Sequence, residues 1–218
     1  MVIAIDGPGG VGKSTVSRRI AQSLQLPYLD TGSTYRAATL AVLREGVDPS
    51  DPEAVCRVLS TADVGYEPNG PTLGGVDVSI AVRLPEVTAT VSEVSSHPGL
   101  RTLIVEMQRA WVADHGGSAV VEGRDIGSVV FPNAAVKVFL TAKPAVRAAR
   151  RADDSEVSGR DMATVAEELA ARDHADSTRE ASPLRAASDA VTIDTTDLSI
   201  DDVVGRILDL VAARVEDK

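Results

Sequence analysis

Residues Ile3 to Thr15 read IAIDGPGGVGKST. An apolar run, Val2 to Ile5, ends in Asp6-Gly7 and reads as a buried strand. Beyond the glycines, Val16, Ile20 and Leu24 recur every four residues with Ala21 beside them, one face of a helix closed by Pro27. Strand, tight glycine turn and helix in immediate succession leave few folds open. The turn must sit at the carboxyl edge of a sheet that the helix covers. Gly7, Gly12, Lys13 and Ser14 fit the eight-position phosphate-loop pattern in full. Gly7, Gly10 and Gly12 let backbone N–H groups converge into an anion nest, and the helix adds its positive dipole end. Lys13 supplies a point charge for the β- and γ-phosphates, and the Ser14 hydroxyl is placed to bind Mg²⁺. The whole loop, Gly7, Pro8, Gly9, Gly10, Val11, Gly12, Lys13, Ser14 and Thr15, is therefore the candidate ATP site, with Ser14 as the metal ligand. The loop says that a triphosphate is held. It does not say what is done with it.

Downstream, strands and helices alternate. Tyr28-Leu29 runs into Asp30-Thr31-Gly32 as a strand and turn, and helices are expected over 34–44 and over 51–61, after Asp48-Pro49-Ser50-Asp51. From Ala62 to about Val82, Pro68-Asn69-Gly70-Pro71 and Gly74-Gly75 split short β-like pieces into a meander that interrupts the alternation. Helices near 86–96 and 99–115 follow, then strand 118–121, loop 122–127, strand 136–140, helices 144–152 and 162–173, strand 190–193 and helix 200–215. Segment 152–160, ADDSEVSGR, is polar and small and is expected to be a mobile loop. Strands alternating with helices predict an α/β fold with a mainly parallel sheet covered on both faces.

Bulk properties narrow the function. The 218 residues favour one domain with a small insertion. A net charge of −10 argues against non-specific nucleic-acid binding. Yet Arg outnumbers Lys 18 to 4, so position must decide whether some arginines are forks for phosphate. A lone Cys56 gives no disulfide framework. The opening MVIAID is not a secretory signal, and no apolar run approaches a bilayer span of about 20 residues, so a soluble cytoplasmic protein is expected. No long heptad or exposed apolar stripe demands a dimer, so a monomer is expected. The three His, at 97, 115 and 174, lack metal-ligand spacing.

Three blocks fall where an acceptor would bind. Thr31 and Arg36 follow the second strand and could reach an anion, with Asp30 near enough to orient Mg²⁺ or its waters; the plain alternative is a turn and a helix N-cap. Arg124-Asp125 stands between glycines in Glu122-Gly123-Arg124-Asp125-Ile126-Gly127. Arg124 can fork onto a phosphate, and Asp125 can accept from an exocyclic amine such as that of cytosine; the alternative is an internal salt bridge. Arg147, Arg150 and Arg151, then Arg172 to Arg179, read either as a solvated helix face or as a lid whose guanidiniums cover phosphates in transit. A guanine-reading Asn-Lys-x-Asp motif is missing, which disfavours a switch GTPase. An ATPase without acceptor remains open, since Ala119-Val120-Val121 ends in Glu122 with Asp125 beyond. A kinase of a sugar or shikimate-like acid also remains, although such chains tend to be shorter.

The chain resembles the bacterial cytidylate kinases, of the nucleoside monophosphate kinase group. The resemblance rests on Gly7 to Ser14, Leu29-Asp30-Thr31-Gly32 with Tyr35-Arg36, Glu122 through Pro132, Ser182-Pro183-Leu184, and Asp194-Thr195-Thr196-Asp197-Leu198-Ser199-Ile200. It implies a P-loop kinase core (1–61 and 97–218, lid about 150–162) and an inserted CMP-binding subdomain (62–96). It implies that Ser92, Arg101 and Asp125 read the cytosine edge, and that Arg36, Arg124, Arg172 and Arg179 hold the acceptor phosphate. Thr31 would lie at the monophosphate site and Asp176 would meet the ribose hydroxyls. Arg151, with Arg147 and Arg150 nearby, would sit at the lid. Thr31 stands where Ser is more usual, and Ala175 where the stretch often carries another Arg. The implied reaction moves a phosphoryl group from Mg²⁺·ATP to CMP or dCMP.

Overall fold

A computed structural model describes residues 1–152 and 161–216, so the expectation of a mobile loop at 152–160 falls, from residue 153 on, outside the described residues. In chain order the elements are β1 (Val2–Asp6), α1 (Lys13–Leu24), β2 (Tyr28–Asp30), α2 (Thr31–Arg44), α3 (Pro52–Thr61), β3 (Val64–Glu67), β4 (Gly70–Leu73), β5 (Val76–Asp77), α4 (Pro85–Val94), α5 (Pro98–Asp114), β6 (Ala119–Gly123), β7 (Val136–Thr141), α6 (Pro144–Ala152), α7 (Met162–Thr178), β8 (Val191–Asp194) and α8 (Ile200–Glu216).

Five strands form one parallel sheet in the order β2-β6-β1-β7-β8. The apolar run at the start of the chain is its middle strand, with Ile3 beside Val120 on one side and Val136 on the other. The strand period of two divides its side chains between two layers. Ile3 and Ile5 pack with Val16 and Ile20 of α1 and Val203, Ile207 and Val211 of α8. Ala4 points the other way, with Leu29 and Val121, toward Val105 and Val112 of α5. The α/β sandwich is the one that strand–helix alternation demanded. Because every strand runs the same way, all five carboxyl ends open on one edge, and Gly7, Thr31, Gly123 and Thr195 lie just there.

The meander forms a separate antiparallel sheet, β3-β4-β5. It packs on α2 through Val64 and Val78 against Ala37 and Leu40, with Val82 and Val87 closing the cluster. Trp111 of α5 pins it further by donating to the Tyr66 carbonyl at 2.7 Å.

Three local structures differ from the sequence expectation. Helix α2 begins three residues early, because Asp30 caps it by accepting from the Ser33 N–H at 3.2 Å. Helix α7 continues to Thr178, which puts Arg172 and Asp173 about one turn before Asp176, with Arg179 as the C-cap. In the expected loop 122–127, Glu122 and Gly123 remain in β6, paired with Ile5 and Asp6. A π-helical turn, Ile126–Val130, follows. Asp6 starts it: its two carboxylate oxygens accept from the N–H groups of Ile126 and Gly127, both at 2.8 Å. Arg109 ends it by donating to the carbonyls of Val129 and Val130, each at 2.9 Å. A carboxylate on β1 and a guanidinium on α5 thus hold in place the turn that directly follows Arg124 and Asp125.

Candidate active site

One cleft of about 550 Å³ opens at the carboxyl edge of the sheet. Its floor is the phosphate loop. Helices α2 and α3 are capped by aspartates, Asp30 and Asp51, whereas Gly12 caps α1 with a left-handed backbone and no side-chain hydrogen bond. The first N–H groups of α1 are therefore left for a ligand. Gly7 and Gly10 have φ of 148° and 75°, and a side chain at either would strike backbone, the Leu140 carbonyl at Gly7 and the Arg147 carbonyl, 2.6 Å away, at Gly10. Lys13 is buried and donates to the Pro8 carbonyl at 2.8 Å, which lays its ammonium along the loop.

Glu122 stands beside the loop at the end of β6. It is buried, takes a hydrogen bond from the Tyr28 hydroxyl, and interacts with Ser14 and Lys13. Burial and then Asp30 raise its carboxyl well above the usual range. Thr31 reaches the cleft wall, yet its hydroxyl donates to the Glu122 carbonyl at 2.6 Å, so that proton is occupied.

Across the cleft lies a network of arginines and aspartates. Arg101 on α5 donates from Nη2 to Asp125 Oδ2 at 2.6 Å and from Nη1 to the Ser95 carbonyl at 3.2 Å; both members of the ion pair are 3% exposed. Asp125 Oδ1 faces Arg179 Nη2 at 4.0 Å, beyond hydrogen-bond distance. Arg124 Nε donates to Asp176 Oδ2 at 3.0 Å, and Arg179 Nη1 lies 3.4 Å from Asp176 Oδ1. Among the described residues, the buried Nε of Arg172 and Nη2 of Arg179 have no hydrogen-bond partner. Buried N–H donors of this kind call for an explanation, and an anionic ligand in the cleft supplies one.

The electrostatics point the same way. Burial, then Arg124 and Arg36, push Arg172 down to about 9. Burial, then Arg151, push Arg36 down to about 10. Burial alone would raise Asp176, but Arg124, Arg172 and Arg179 outweigh it and hold its carboxyl below the usual range. Burial and then Arg124 bring Lys13 down to about 7. The guanidiniums remain protonated at neutral pH, so these shifts measure a repulsion that a polyanion would relieve. A consequence can be measured at pH 8, where Lys13 of the free protein is largely neutral. Metal-free ATP should restore its charge and draw up to about one proton per nucleotide from the buffer. Titration calorimetry in two buffers of different ionisation heat reads this directly. Equal apparent heats would contradict the placement of Lys13 against the phosphates.

Most residues singled out from sequence meet in this cleft: Gly9, Gly10, Lys13, Ser14, Thr15, Asp30, Thr31, Arg36, Arg101, Arg124, Asp125, Arg151, Arg172, Asp176 and Arg179 all line it. Gly7, Pro8, Val11 and Gly12 shape the loop from behind. Arg147 is turned away from the cleft lining; it pairs with Asp173, whose other oxygen lies 3.4 Å from the Gly9 N–H. Ser92 is half-buried on α4 outside the lining, and Ser95, nearly one turn on, lines it instead.

A profile described as cytidylate kinase matches residues 3–213. The chain belongs to the cytidylate kinase family. The cytidylate kinase of Mycobacterium avium (strain 104) is 51% identical over 222 residues, covering 99% of this chain and 97% of its own. That of Rhodococcus opacus (strain B4) is 49% identical over 220 residues, covering 98% and 96%. Among solved structures, a shikimate kinase from Acinetobacter baumannii in complex with shikimate superposes with a TM-score of 0.50 at 16% identity, over 97% of this chain and 93% of that one. That likeness concerns the fold alone. It leaves the cytidylate kinase signature to the residues facing the loop.

Sequence reading of this cytidylate kinase family member missed four contributors. Arg18 lines the cleft and stacks 5.4 Å over the Tyr28 ring. Its signal was available, since it follows Ser14 by one helical turn. Tyr28, Asp6 and Ser95 act on functional residues through contacts that span the chain or depend on helix phase, and nothing local announces them.

Proposed function

We propose that this cytidylate kinase family chain moves the γ-phosphoryl group of ATP onto the α-phosphate of CMP, with dCMP as a second acceptor. An oxygen of the CMP phosphate attacks the γ-phosphorus in line, the bond to the β,γ-bridging oxygen breaks, and CDP and ADP leave. A phosphate monoester is largely dianionic at pH 7, so the chain need not supply a base. It must bring two polyanions together, and its catalytic means are position and charge.

On the donor side, Lys13 and the loop N–H groups hold the β- and γ-phosphates. Described residues hold no cluster of three His, Cys, Asp or Glu side chains able to cage a metal. The donor set instead is the Ser14 hydroxyl with carboxylates of Glu122 and Asp30 nearby. That set fits Mg²⁺, which keeps waters and phosphate oxygens and takes few protein ligands. Held by Ser14 with Glu122 and Asp30 nearby, Mg²⁺ would supply charge neutralisation to the bound phosphates. Across the cleft, Arg36, Arg124 and Arg172 grip the acceptor phosphate and Arg151 closes from the lid side. Asp125, with Arg101 behind it, accepts from the cytosine amine, and Asp176 with Arg179 meets the ribose. The 62–96 segment serves as the acceptor subdomain on the kinase core. A single chain carries both halves, so a monomer is a sufficient working unit.

The observation that carries this reading is the buried Arg101–Asp125 pair, 2.6 Å apart, in the same cleft as the phosphate loop. The pair uses one Asp125 oxygen and leaves the other 4.0 Å from Arg179, in the cleft where a ligand amine could donate to it. The test follows ADP release from Mg²⁺·ATP with CMP, dCMP, UMP, AMP, GMP or a small alcohol present. Release that depends on CMP or dCMP is expected. Acceptor-independent release would contradict the reading.

A further inference from the structure

Arg36 does more than face the cleft. Its Nη1 donates twice into the 62–96 segment, to the Val82 carbonyl at 3.1 Å and to the Thr88 hydroxyl on α4 at 2.9 Å. Val82 offers backbone and would do so with almost any side chain. Thr88 offers a side-chain oxygen that the sequence had to place. Two acceptors from separate pieces of the segment fix the plane of the guanidinium and leave its other N–H groups for a ligand. Orientation matters here because Arg binds phosphate as a planar fork, which a rotated guanidinium cannot do bidentately. Burial first, and then the charge of Arg151, disfavour the Arg36 cation while Asp30 opposes them, so neutral acceptors such as Thr88 help to seat it.

We propose that Thr88 is a positioning residue for phosphoryl transfer: its hydroxyl, acting through Arg36, aims the guanidinium at the acceptor phosphate and so ties the 62–96 segment to acceptor binding. This rests on the reading of Arg36 as an acceptor-phosphate ligand. Helix α4 packs on α2, so the contact spans the joint between segment and core, and acceptor phosphate bound at Arg36 holds that joint closed.

Steady-state kinetics of Thr88→Val, which keeps the branched shape and removes the hydroxyl, test the idea on the full chain. The KM for CMP should rise about tenfold, the scale of one hydrogen bond to a charged group. The KM for ATP should stay unchanged, Thr88→Ala should match Thr88→Val, and Thr88→Ser should return the KM for CMP to that of the parent. In an Arg36→Ala background, Thr88→Val should add nothing, because its route is gone. An unchanged KM for CMP in Thr88→Val, or a penalty that persists in full on Arg36→Ala, would overturn the role of Thr88 alone. Arg36→Ala with an unchanged KM for CMP would instead overturn the acceptor reading beneath it.

Discussion

Replacing Lys13 with alanine is expected to lower kcat by about a thousandfold, the scale seen when one preorganised donor to a developing charge is removed. Lys13 is buried at the base of the cleft, and its ammonium is held by the Pro8 carbonyl along the loop that cradles the phosphates. Alanine leaves the N–H nest intact, so ATP should still bind while charge on the transferring group goes uncompensated. Loss of folding is not the cause to expect. The lysine is pushed down to about 7 by burial and by Arg124, against an unfolded value near 10.4. Between those limits the unfolded chain holds the extra proton, so the lysine makes stability rise with pH from about 7 to about 10 and imposes its full penalty below 7. Lys13→Ala removes that penalty. Thermal unfolding at pH 7 should show a variant at least as stable as the parent, and one whose stability climbs less toward pH 10. Near-normal turnover in the folded variant would contradict the mechanism.

Asp125→Ala is expected to lower kcat/KM for CMP by about 10²–10³-fold, within the range for truncating one member of a buried charge pair, and to leave the affinity for ATP unchanged. Asp125 is buried and pairs with Arg101, with Arg179 close by. On the proposed reading its removal would deprive the cytosine amine of its acceptor, and it strands two desolvated guanidiniums. The second effect costs stability, about 3–5 kcal/mol for a broken buried pair. Asp125→Asn therefore belongs in the experiment: it keeps the shape, retains one acceptor and should fold well, with a smaller loss for CMP. Equilibrium binding of ATP and of CMP to each variant separates the outcomes. A loss of ATP affinity with CMP affinity intact would place Asp125 on the donor side.

The donor half was legible because its chemistry is local. Nine consecutive residues, Gly7 to Thr15, form the loop, and the strand before and helix after them are written in adjacent apolar periods. The five-stranded sheet was legible for the same reason, each strand a short apolar run at a turn. The acceptor half was legible in its charges and not in its geometry. Arg124-Asp125 stood out between glycines, but the π-helical turn that aims them depends on Asp6 and Arg109, which lie 118 and 15 positions away along the chain from Arg124. Asp6 meets this turn because β1 and β6 pair in the sheet, and Arg109 reaches it from α5. At α4 the resemblance implied Ser92, which lies just outside the cleft lining, while Ser95, nearly one turn on, lies in it. Thr31, expected near the acceptor, lines the cleft, and its hydroxyl donates to the Glu122 carbonyl, a partner 91 positions away that nothing local announces.

The chain's phosphate loop and its arginine–aspartate wall belong to one two-nucleotide cleft, and a bisubstrate compound probes that claim most directly. Adenosine and cytidine joined by five phosphates should bind one molecule per chain and compete with ATP and with CMP alike. Loop and arginine donors would then be engaged together, so its affinity should exceed that of either nucleotide alone. Competition against ATP only, with CMP still binding freely beside it, would mean that the wall facing the loop is not where the acceptor sits.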